Sequence, residues 1–327
     1  MAALLHGESV WAQDYYRGKQ ITLYVGTAPG GAYDVYARLI ARHLGKHIPG
    51  NPPVMVSFMP GATGRVVMDF LYNKAPKDGT AIGVTMRSVP FDPLMGRDDK
   101  YDARRAVWLG STNRETSLCV AWHTAPFKTL ADAIDRQMVL GTIGAGSTAA
   151  LNPIAMNALI GTKFKVVTGY VSTNEIHIAM ERGEVQGRCG MSWNFLNSAK
   201  ADWLRDGKIR ILSQFTAGKS AEVPAGIPSV ADLVKTEEDR QLVKLLAAPD
   251  ELGQPFLAPP ATQPERAAIL REAFAATLAD PEARADAAQS GLALDSMNGA
   301  VLEAFIRGVY ETPKSVAARA AEISRSK

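Results

Sequence analysis

The sequence has no long apolar run and no concentration of charge of one sign. No stretch approaches the roughly 20 apolar residues that a membrane-spanning helix needs, so no such helix is predicted. The 36 Lys and Arg residues are nearly balanced by 33 Asp and Glu residues, which gives a net charge of +3. Basic residues with interleaved aromatics do not form runs, so nucleic-acid binding is not expected. The weakly basic balance suits small anionic ligands, although it fits other roles as well.

Cysteine is scarce, with only Cys119 and Cys189 in 327 residues. Two cysteines do not identify the redox compartment of a chain this long. They could form a bond between lobes, but the expectation is two small buried residues.

Patterns typical of catalysis and of metal binding are missing or incomplete. There is no Gly-x-Ser-x-Gly nucleophile elbow, and none of the five histidines lies beside an obvious nucleophile. His43 and His47 have the spacing of helix-borne metal ligands, but no third ligand is near them in the sequence and Lys46 adds a positive charge. We expect these two histidines on a solvated helix face. The sequence therefore predicts no metal site and no cofactor. An α/β enzyme stays as the less favoured alternative to a binding protein.

The composition that is present is that of a globular protein too long for one core. The chain is 46% hydrophobic and 21% charged, which is ordinary for a folded domain, and 327 residues favour two lobes. Strand patterns at residues 21–25, 54–58 and 81–86 alternate with helical patterns, and the rhythm restarts at residues 138–143 and 164–168. This predicts an α/β fold with two mostly parallel sheets and helices on both faces.

The predicted boundaries follow from this rhythm. Lobe 1 is expected at residues 14–122 plus 250–327, because a helical tail cannot form a third sheet domain and must pack on an existing lobe. Lobe 2 is expected at residues 123–249. A chain that crosses between lobes in this way places a cleft between them, and open α/β sheets bind ligands beyond the carboxyl ends of their strands. Residues 1–13 have small and apolar residues typical of the end of an export signal, but no basic start, and we interpret them as a leader or signal remnant.

Two glycine-rich turns in the first lobe each follow a predicted strand and precede a predicted helix. In residues 28–31 (Ala-Pro-Gly-Gly), the glycines permit positive φ and expose consecutive N–H groups at a helix start, which favours an anion. Asp34 can cap that helix and fix the turn. The second turn, at residues 59–64, contains Pro-Gly-Ala. One such turn could serve only to reverse the chain, but two in one lobe favour a shared binding rim.

A third turn, residues 144–148 (Gly-Ala-Gly-Ser-Thr), partly matches the dinucleotide fingerprint. A nucleotide site would need an acidic residue at the end of the next strand to hold the ribose. No acid occurs there before Glu175, so nicotinamide binding is not favoured. A backbone and hydroxyl cradle for a carboxylate stays as an open interpretation.

Two arginines lie near predicted strand ends. Arg87 and Arg188 could each hold a carboxylate through two hydrogen bonds. A solvated or ion-paired surface position is the commoner environment for arginine and stays as the alternative. Tyr170, Met191 and Trp193 could line an apolar wall, although core packing is expected for each.

Eight short motifs occur in a characteristic order from about Tyr16 to the carboxyl end. They are Ala-Pro-Gly-Gly-x-x-Asp at 28–34, Pro-Gly-Ala at 60–62, Ala-Pro-Lys-Asp-Gly-Thr at 75–80, Pro-Phe-Lys-Thr-Leu-Ala-Asp at 126–132, Gly-x-Gly-Ser at 144–147, Gly-Glu-Val at 183–185, Leu-Ala-Pro-Pro at 257–260 and Leu-Ala-Asp-Pro-Glu at 278–282. Together they resemble the extracytoplasmic solute receptors of the tripartite tricarboxylate transporter system, the Bug or TctC family.

The resemblance implies a type II periplasmic-binding-protein fold that closes on its ligand like a flytrap. It also implies a periplasmic receptor, expected as a monomer, that delivers a mono- or dicarboxylate to membrane permease subunits. A ligand-sensing component for a sensor kinase would differ only in its partner. Family members hold a carboxylate largely through backbone groups, which in this sequence points to Ala28, Gly31, Ala32, Asp34, Ala62, Ser147 and Thr148.

The sequence departs from the common family pattern at three places. Arg87 lies in a segment where smaller hydroxyl residues are usual, and Thr148 and Ala149 replace a frequent His-Leu pair. Arg188 stands where many relatives carry an uncharged residue or an aspartate. Together with Tyr170, the two arginines complete the candidate ligand site, and the departures favour a ligand different from, and more acidic than, that of typical members.

Overall fold

A computed structural model describes residues 15–97 and 100–325, which form two compact units. The proposed leader at residues 1–13 lies outside the described residues. Among the described helices, none has both the length and the apolar character needed to cross a bilayer. The first unit contains the described residues up to Val89, Lys100–Asn113 and Gln254–Arg307. The second contains residues 90–97, Arg114–Gly253 and residues 308–325.

Strands and helices alternate through most of the described chain. The strands are β1 (Ile21–Val25), β2 (Val54–Phe58), β3 (Ala81–Val84), β4 (Val107–Ser111), β5 (Ser117–Trp122), β6 (Met138–Thr142), β7 (Phe164–Thr168), β8 (Gly187–Ser192), β9 (Ile209–Phe215), β10 (Pro255–Ala258) and β11 (Met297–Asn298). The α-helices are α1 (Ala32–Leu44), α2 (Arg65–Asn73), α3 (Leu130–Asp135), α4 (Thr148–Ile160), α5 (Thr173–Glu181), α6 (Trp193–Asn197), α7 (Ala201–Arg205), α8 (Val230–Leu233), α9 (Glu237–Leu252), α10 (Pro264–Ala279), α11 (Pro281–Gln289), α12 (Gly299–Tyr310) and α13 (Lys314–Arg325).

The sheet of the first unit has the strand order β11-β4-β10-β3-β1-β2. β1 pairs in parallel with β2 and β3, while β10 is antiparallel to β3 and β4, and β11 is antiparallel to β4. β4 therefore runs in the direction of β1–β3, and four of the six described strands share one direction. The segment after β1 forms the helix α1 because Ala37, Ile40 and Leu44 recur at helical spacing and join the core of this unit.

The sheet of the second unit has the order β7-β6-β8-β5-β9. β6 is parallel to β7 and β8, and β5 is antiparallel to β8 and β9. Four of the five described strands therefore share one direction. This agrees with the predicted α/β fold of two mostly parallel sheets. The reversed strands are β10 and β11 in the first unit and β5 in the second, and β10 and β5 each come directly after the chain passes from one unit into the other, at Gln254 and at Arg114.

Cys119 and Cys189 form a disulfide bond within the second unit. They lie on the neighbouring strands β5 and β8, where an irregularity between Leu118 and Val120 brings Cys119 opposite residues 189 and 190. The two sulfurs are buried in the core of this unit. The sequence-based expectation of two separate small residues is therefore wrong, because the strand register brings them together.

The unit boundaries differ from the predicted ones at four places, because residues 90–97, 114–122, 250–253 and 308–325 were all predicted in lobe 1 and belong to the second unit. Residues 114–122, predicted in lobe 1, belong to the second unit because β5 pairs with β8 and β9. The last helix, α13, also belongs to the second unit, where Val316, Ala320 and Ile323 join the core. The guanidinium of Arg319 is 2.6 Å from the carboxylate of Asp239 at the start of α9. The helical tail thus divides between the units.

Candidate ligand-binding loops

The loops that follow β1, β2 and β3 meet at one edge of the first sheet. Because these strands are parallel and in register, Val25 lies beside both Phe58 and Val84, the last residues of their strands. The N–H of Gly26 donates to the carbonyl of Val84 (3.0 Å), and the N–H of Met59 donates to the carbonyl of Val25 (2.8 Å). All three predicted first-lobe positions, in residues 28–34, at Ala62 and at Arg87, therefore belong to loops at the same sheet edge.

The loop after β1 is fixed by a carboxylate. Asp34 is buried, and its Oδ2 accepts a hydrogen bond from the N–H of Gly30 (2.8 Å) while its Oδ1 accepts one from Nε of Arg38 (2.5 Å). Gly30 has a φ of +92°, which glycine adopts without strain. Both oxygens of Asp34 thus accept hydrogen bonds from within the chain. Its position suits the fixing of this loop rather than direct contact with an anion.

The start of α1 leaves backbone donors at this loop. The N-cap residue is Gly31, and no side chain of the described residues caps the helix. Ala28, Gly31 and Ala32 are exposed. A helix whose first N–H groups are uncapped and accessible attracts anions, because those N–H groups and the helix dipole both favour negative charge.

The loop after β2 has an unusual backbone. Four consecutive residues have positive φ: Gly61 (142°), Ala62 (45°), Thr63 (57°) and Gly64 (85°). For a residue with a side chain the left-handed region costs on the order of 1–3 kcal/mol, and such strain is concentrated at functional sites. The strained loop leads into α2, whose N-cap Gly64 also lacks a side-chain cap.

Close contacts join the three loops. A Cβ atom at Gly26 would lie 2.6 Å from Cγ1 of Val67 and 3.2 Å from Cα of Gly64, so the glycine at position 26 lets the first loop approach the second closely. The hydroxyl of Tyr33 in α1 accepts a hydrogen bond from the backbone N–H of Arg87 (3.0 Å), which connects the first and third loops.

In the second unit, the loop at residues 143–147 connects β6 to α4. The hydroxyl of Ser147, the N-cap residue, donates to the carbonyl of Gly144 (2.7 Å) and lies 3.0 Å from the hydroxyl of Thr142. Ser147 therefore does not cap α4 with its side chain. Ser147 and Thr148 are both buried. This loop resembles the first one in chemistry, with an uncapped helix start behind a glycine-rich turn.

The side chain of Arg97 lies against this loop, and no sequence pattern predicted this contact. Its Nη1 donates to the carbonyl of Gly146 (3.2 Å) and is 3.4 Å from Oδ1 of Asp92. The side chain is 12% exposed. The guanidinium thus brings hydrogen-bond donors to residues 144–147, while the carboxylate of Asp92 offsets its charge.

Arg188 is inside the second unit, with only 7% of its surface exposed. Its Nη1 donates to Nε2 of His177 (3.2 Å), and its Nη2 donates to the carbonyl of Gly190 (3.3 Å). Burial, then the charges of Arg188 and Lys200, lower the pKa of His177 to about 3, so the imidazole is neutral and accepts this bond. The alternative of a solvated surface arginine is therefore wrong for Arg188.

Gly190 links this buried arginine to α4. It has a φ of +70°, and a Cβ atom at this position would lie 2.9 Å from Cα of Ala149 in the first turn of α4. Tyr170 is half-buried and packs over β6, where a Cβ atom at Gly141 would be 3.2 Å from its ring. Met191 and Trp193 are core residues, as expected.

The sequence model of one protein family, described as tripartite tricarboxylate transporter family receptor, matches residues 36–318 of this chain. The chain belongs to this receptor family. A UPF0065 protein of Bordetella bronchiseptica is 25% identical over 225 residues, which are 66% of this chain and 63% of that protein. The match thus spans somewhat less than two thirds of the length of this curated relative.

Solved structures of similar fold cover almost the whole receptor chain. MatC from Rhodopseudomonas palustris with bound malate has a TM-score of 0.66 and 18% identity, covering 94% of this chain and 99% of its own. Rpa4515 of the same organism with adipate has a TM-score of 0.63 and 20% identity, covering 93% of this chain and 97% of its own. At these identities the likeness shows the periplasmic-binding-protein fold, in agreement with the fold predicted for this receptor.

Proposed function

We propose that this receptor captures a small organic anion, a mono- or dicarboxylate, in the periplasm for the permease subunits of a tripartite transporter. One observation carries the proposal. In the first unit β1 leads through a glycine-rich loop into α1, and in the second unit β6 leads through a glycine-rich loop into α4. Each of these helices has 13 residues, and neither has a side-chain cap at its start. Other helices of the same chain do receive such caps, for example α5 from Ser172 and α9 from Thr236.

Uncapped helix starts suit a carboxylate because its two oxygens can accept several backbone N–H groups at once. The residues proposed to provide these groups are Ala28, Gly31, Ala32, Ala62, Ser147 and Thr148. Asp34 contributes by fixing the first loop. That two proteins of the same fold carry malate and adipate supports a dicarboxylate as the ligand class.

Charged and aromatic side chains are proposed to select among carboxylates. Arg87 belongs to the third loop of the first unit, and Arg97 adds a guanidinium to the loop of the second. Arg188 is proposed to affect selection indirectly, because it bonds the carbonyl of Gly190, which packs against the first turn of α4. Tyr170, which packs over β6, is proposed as the aromatic side chain that takes part in selection.

A thermal-shift screen tests the ligand class. The purified chain, unfolded and refolded to remove bound solutes, is mixed with a library of mono- and dicarboxylates and with the matching amides, which have the same skeleton without charge. A ligand at 100 times its Kd stabilises the folded state by about 2.7 kcal/mol, which shifts the melting temperature visibly. At least one carboxylate should stabilise the chain while its amide does not. Stabilisation by neutral or cationic solutes alone would contradict the proposal.

A further inference from the structure

A cluster of histidine and carboxylate side chains lies in the first unit, where the segment at the end of α1 meets the start of α11. It comprises His43, His47, Asp280, Glu282 and Asp286. The expectation of a solvated face for the two histidines is wrong, because the carboxylates of residues 280–286 pack against them. The third ligand that the local sequence does not offer thus comes from a distant part of the chain.

Asp280 holds a fixed position at the centre of this cluster. Its Oδ1 accepts a hydrogen bond from the backbone N–H of Glu282 (2.9 Å) as the N-cap of α11, which orients the carboxylate. Its Oδ2 lies 2.9 Å from Nε2 of His47. The Asp280 side chain is only 9% exposed. A carboxylate oriented by a backbone bond is the arrangement that supports metal ligands.

His43 and Glu282 complete a set of possible ligands around Asp280. One donor atom from each of His43, Asp280 and Glu282 lies within 4.8 Å of the other two. A metal ion about 2.0–2.2 Å from each donor requires donors no more than about 4.4 Å apart, so small side-chain rotations are enough. Nε2 of His43 is 2.9 Å from Oδ2 of Asp286, which Arg42 also contacts, and Asp286 can orient this imidazole.

A cationic group already lies where the carboxylates converge. Nζ of Lys46 is 2.6 Å from Oδ2 of Asp280 and 2.6 Å from Oε2 of Glu282. Its side chain is 37% exposed and flexible, so it can move into solvent. With Lys46 in place, three carboxylates face two cationic side chains, Lys46 and Arg42. When Lys46 leaves, the excess negative charge rises from one to two, which suits a divalent ion.

We propose that Zn²⁺ displaces the Lys46 ammonium and binds to His43, His47, Asp280 and Glu282. Zinc is favoured over calcium and magnesium because two of the four ligands are imidazoles, whereas those ions prefer oxygen ligands only. The ion would cross-link α1 to α11. The site is at the end of α1 opposite the ligand loop, about 20 Å away at about 1.5 Å per residue over 13 residues. If the zinc proposal fails, the proposed carboxylate function is therefore unaffected.

The test is a calorimetric titration of the untagged, chelator-treated full chain with Zn²⁺, repeated with Co²⁺ by visible absorption. We expect one Zn²⁺ per chain and a Co²⁺ band typical of mixed nitrogen and oxygen ligands. Lys46→Met should bind Zn²⁺ at least 10-fold more tightly than wild type, because the competing ammonium is gone. The double variant His43→Ala/His47→Ala should bind at least 10-fold more weakly, while His123→Ala, which changes an exposed histidine of the second unit, should bind as wild type does.

Melting curves and the carboxylate screen accompany each variant, and Lys46→Gln replaces Lys46→Met if the latter does not fold. A salt-bridge network without metal function would give a less stable Lys46 variant that binds no Zn²⁺. That result overturns the proposal. So does Zn²⁺ binding that is unchanged in the double histidine variant, because the ion would then lie elsewhere.

Discussion

Arg188 donates a hydrogen bond to the buried imidazole of His177, with Nη1 and Nε2 3.2 Å apart. The ring of His177 also stacks on Phe195, at 5.6 Å between centroids, and meets Trp203 edge-on at 5.1 Å. The bond requires a neutral imidazole, since a protonated ring has no acceptor. One partner of the Arg188 guanidinium inside the second unit is therefore a group that must stay uncharged, and the carbonyl of Gly190 is another.

The His177–Arg188 contact makes stability depend on pH. The pKa of His177 is lowered from 6.5 to about 3 in the folded chain, mainly by burial, so between these values the unfolded state binds more protons. The contribution of His177 is therefore complete above pH 6.5 and is lost progressively as the pH falls toward 3. Between pH 7.5 and 5, wild type should lose up to about 2 kcal/mol more unfolding free energy than His177→Gln, measured by urea denaturation. A His177 imidazole that titrates near pH 6.5 by NMR would contradict this.

Gly190 should tolerate no side chain, because the first turn of α4 blocks it. Gly190→Ala places a Cβ atom 2.9 Å from Cα of Ala149, in addition to the cost of positive φ. Gly183→Ala is the matched control, since Gly183 has a nearly identical φ of +73° with nothing within 4 Å. We expect Gly190→Ala to be less stable than Gly183→Ala by about 1–3 kcal/mol, measured by chemical denaturation. Equal destabilisation would show that the contact with α4 is unimportant.

Strain in the loop after β2 should be separable from its proposed function. Ala62→Gly relieves a φ of 45° and should stabilise the chain by up to about 1 kcal/mol. Ala261→Gly is the control, because Ala261 also has a positive φ (61°) and lies outside the three loops. Both variants should melt at higher temperature, but only Ala62→Gly should weaken carboxylate binding, by several-fold, because the freed loop must be ordered again. Unchanged affinity in Ala62→Gly would remove this loop from the site.

The sequence was most informative where local pattern and tertiary structure agree. The strand rhythm predicted the α/β class, and the glycine turns were found because glycine is needed where the backbone takes positive φ, as at Gly30. Asp34 was identified as the residue that fixes the first loop, since its partner Gly30 is only four residues away.

What the sequence did not reveal depends on contacts between distant segments. Arg97 reaches Gly146 across 49 positions, and no spacing rule connects them. The disulfide joins residues 70 apart through a strand register that cannot be read locally. The position of β5 also depends on distant contacts. Because β5 pairs with β8, the boundary between the units lies before β5, whereas the sequence placed it after β5.

The most direct test of the proposed anion site removes one backbone N–H donor by a substitution to proline. Ala32 is the first residue of α1, where proline is tolerated, and α10 and α11 of this chain already begin with proline. The extended backbone of Gly31 (φ −102°, ψ 178°) is compatible with a following proline.

Calorimetry on Ala32→Pro, with the best carboxylate from the screen, gives the decisive comparison. The control is Glu237→Pro at the first position of α9. Affinity should fall at least 10-fold in Ala32→Pro and stay unchanged in Glu237→Pro, with both melting temperatures close to that of wild type. Wild-type affinity in a folded Ala32→Pro variant would contradict carboxylate binding by the start of α1.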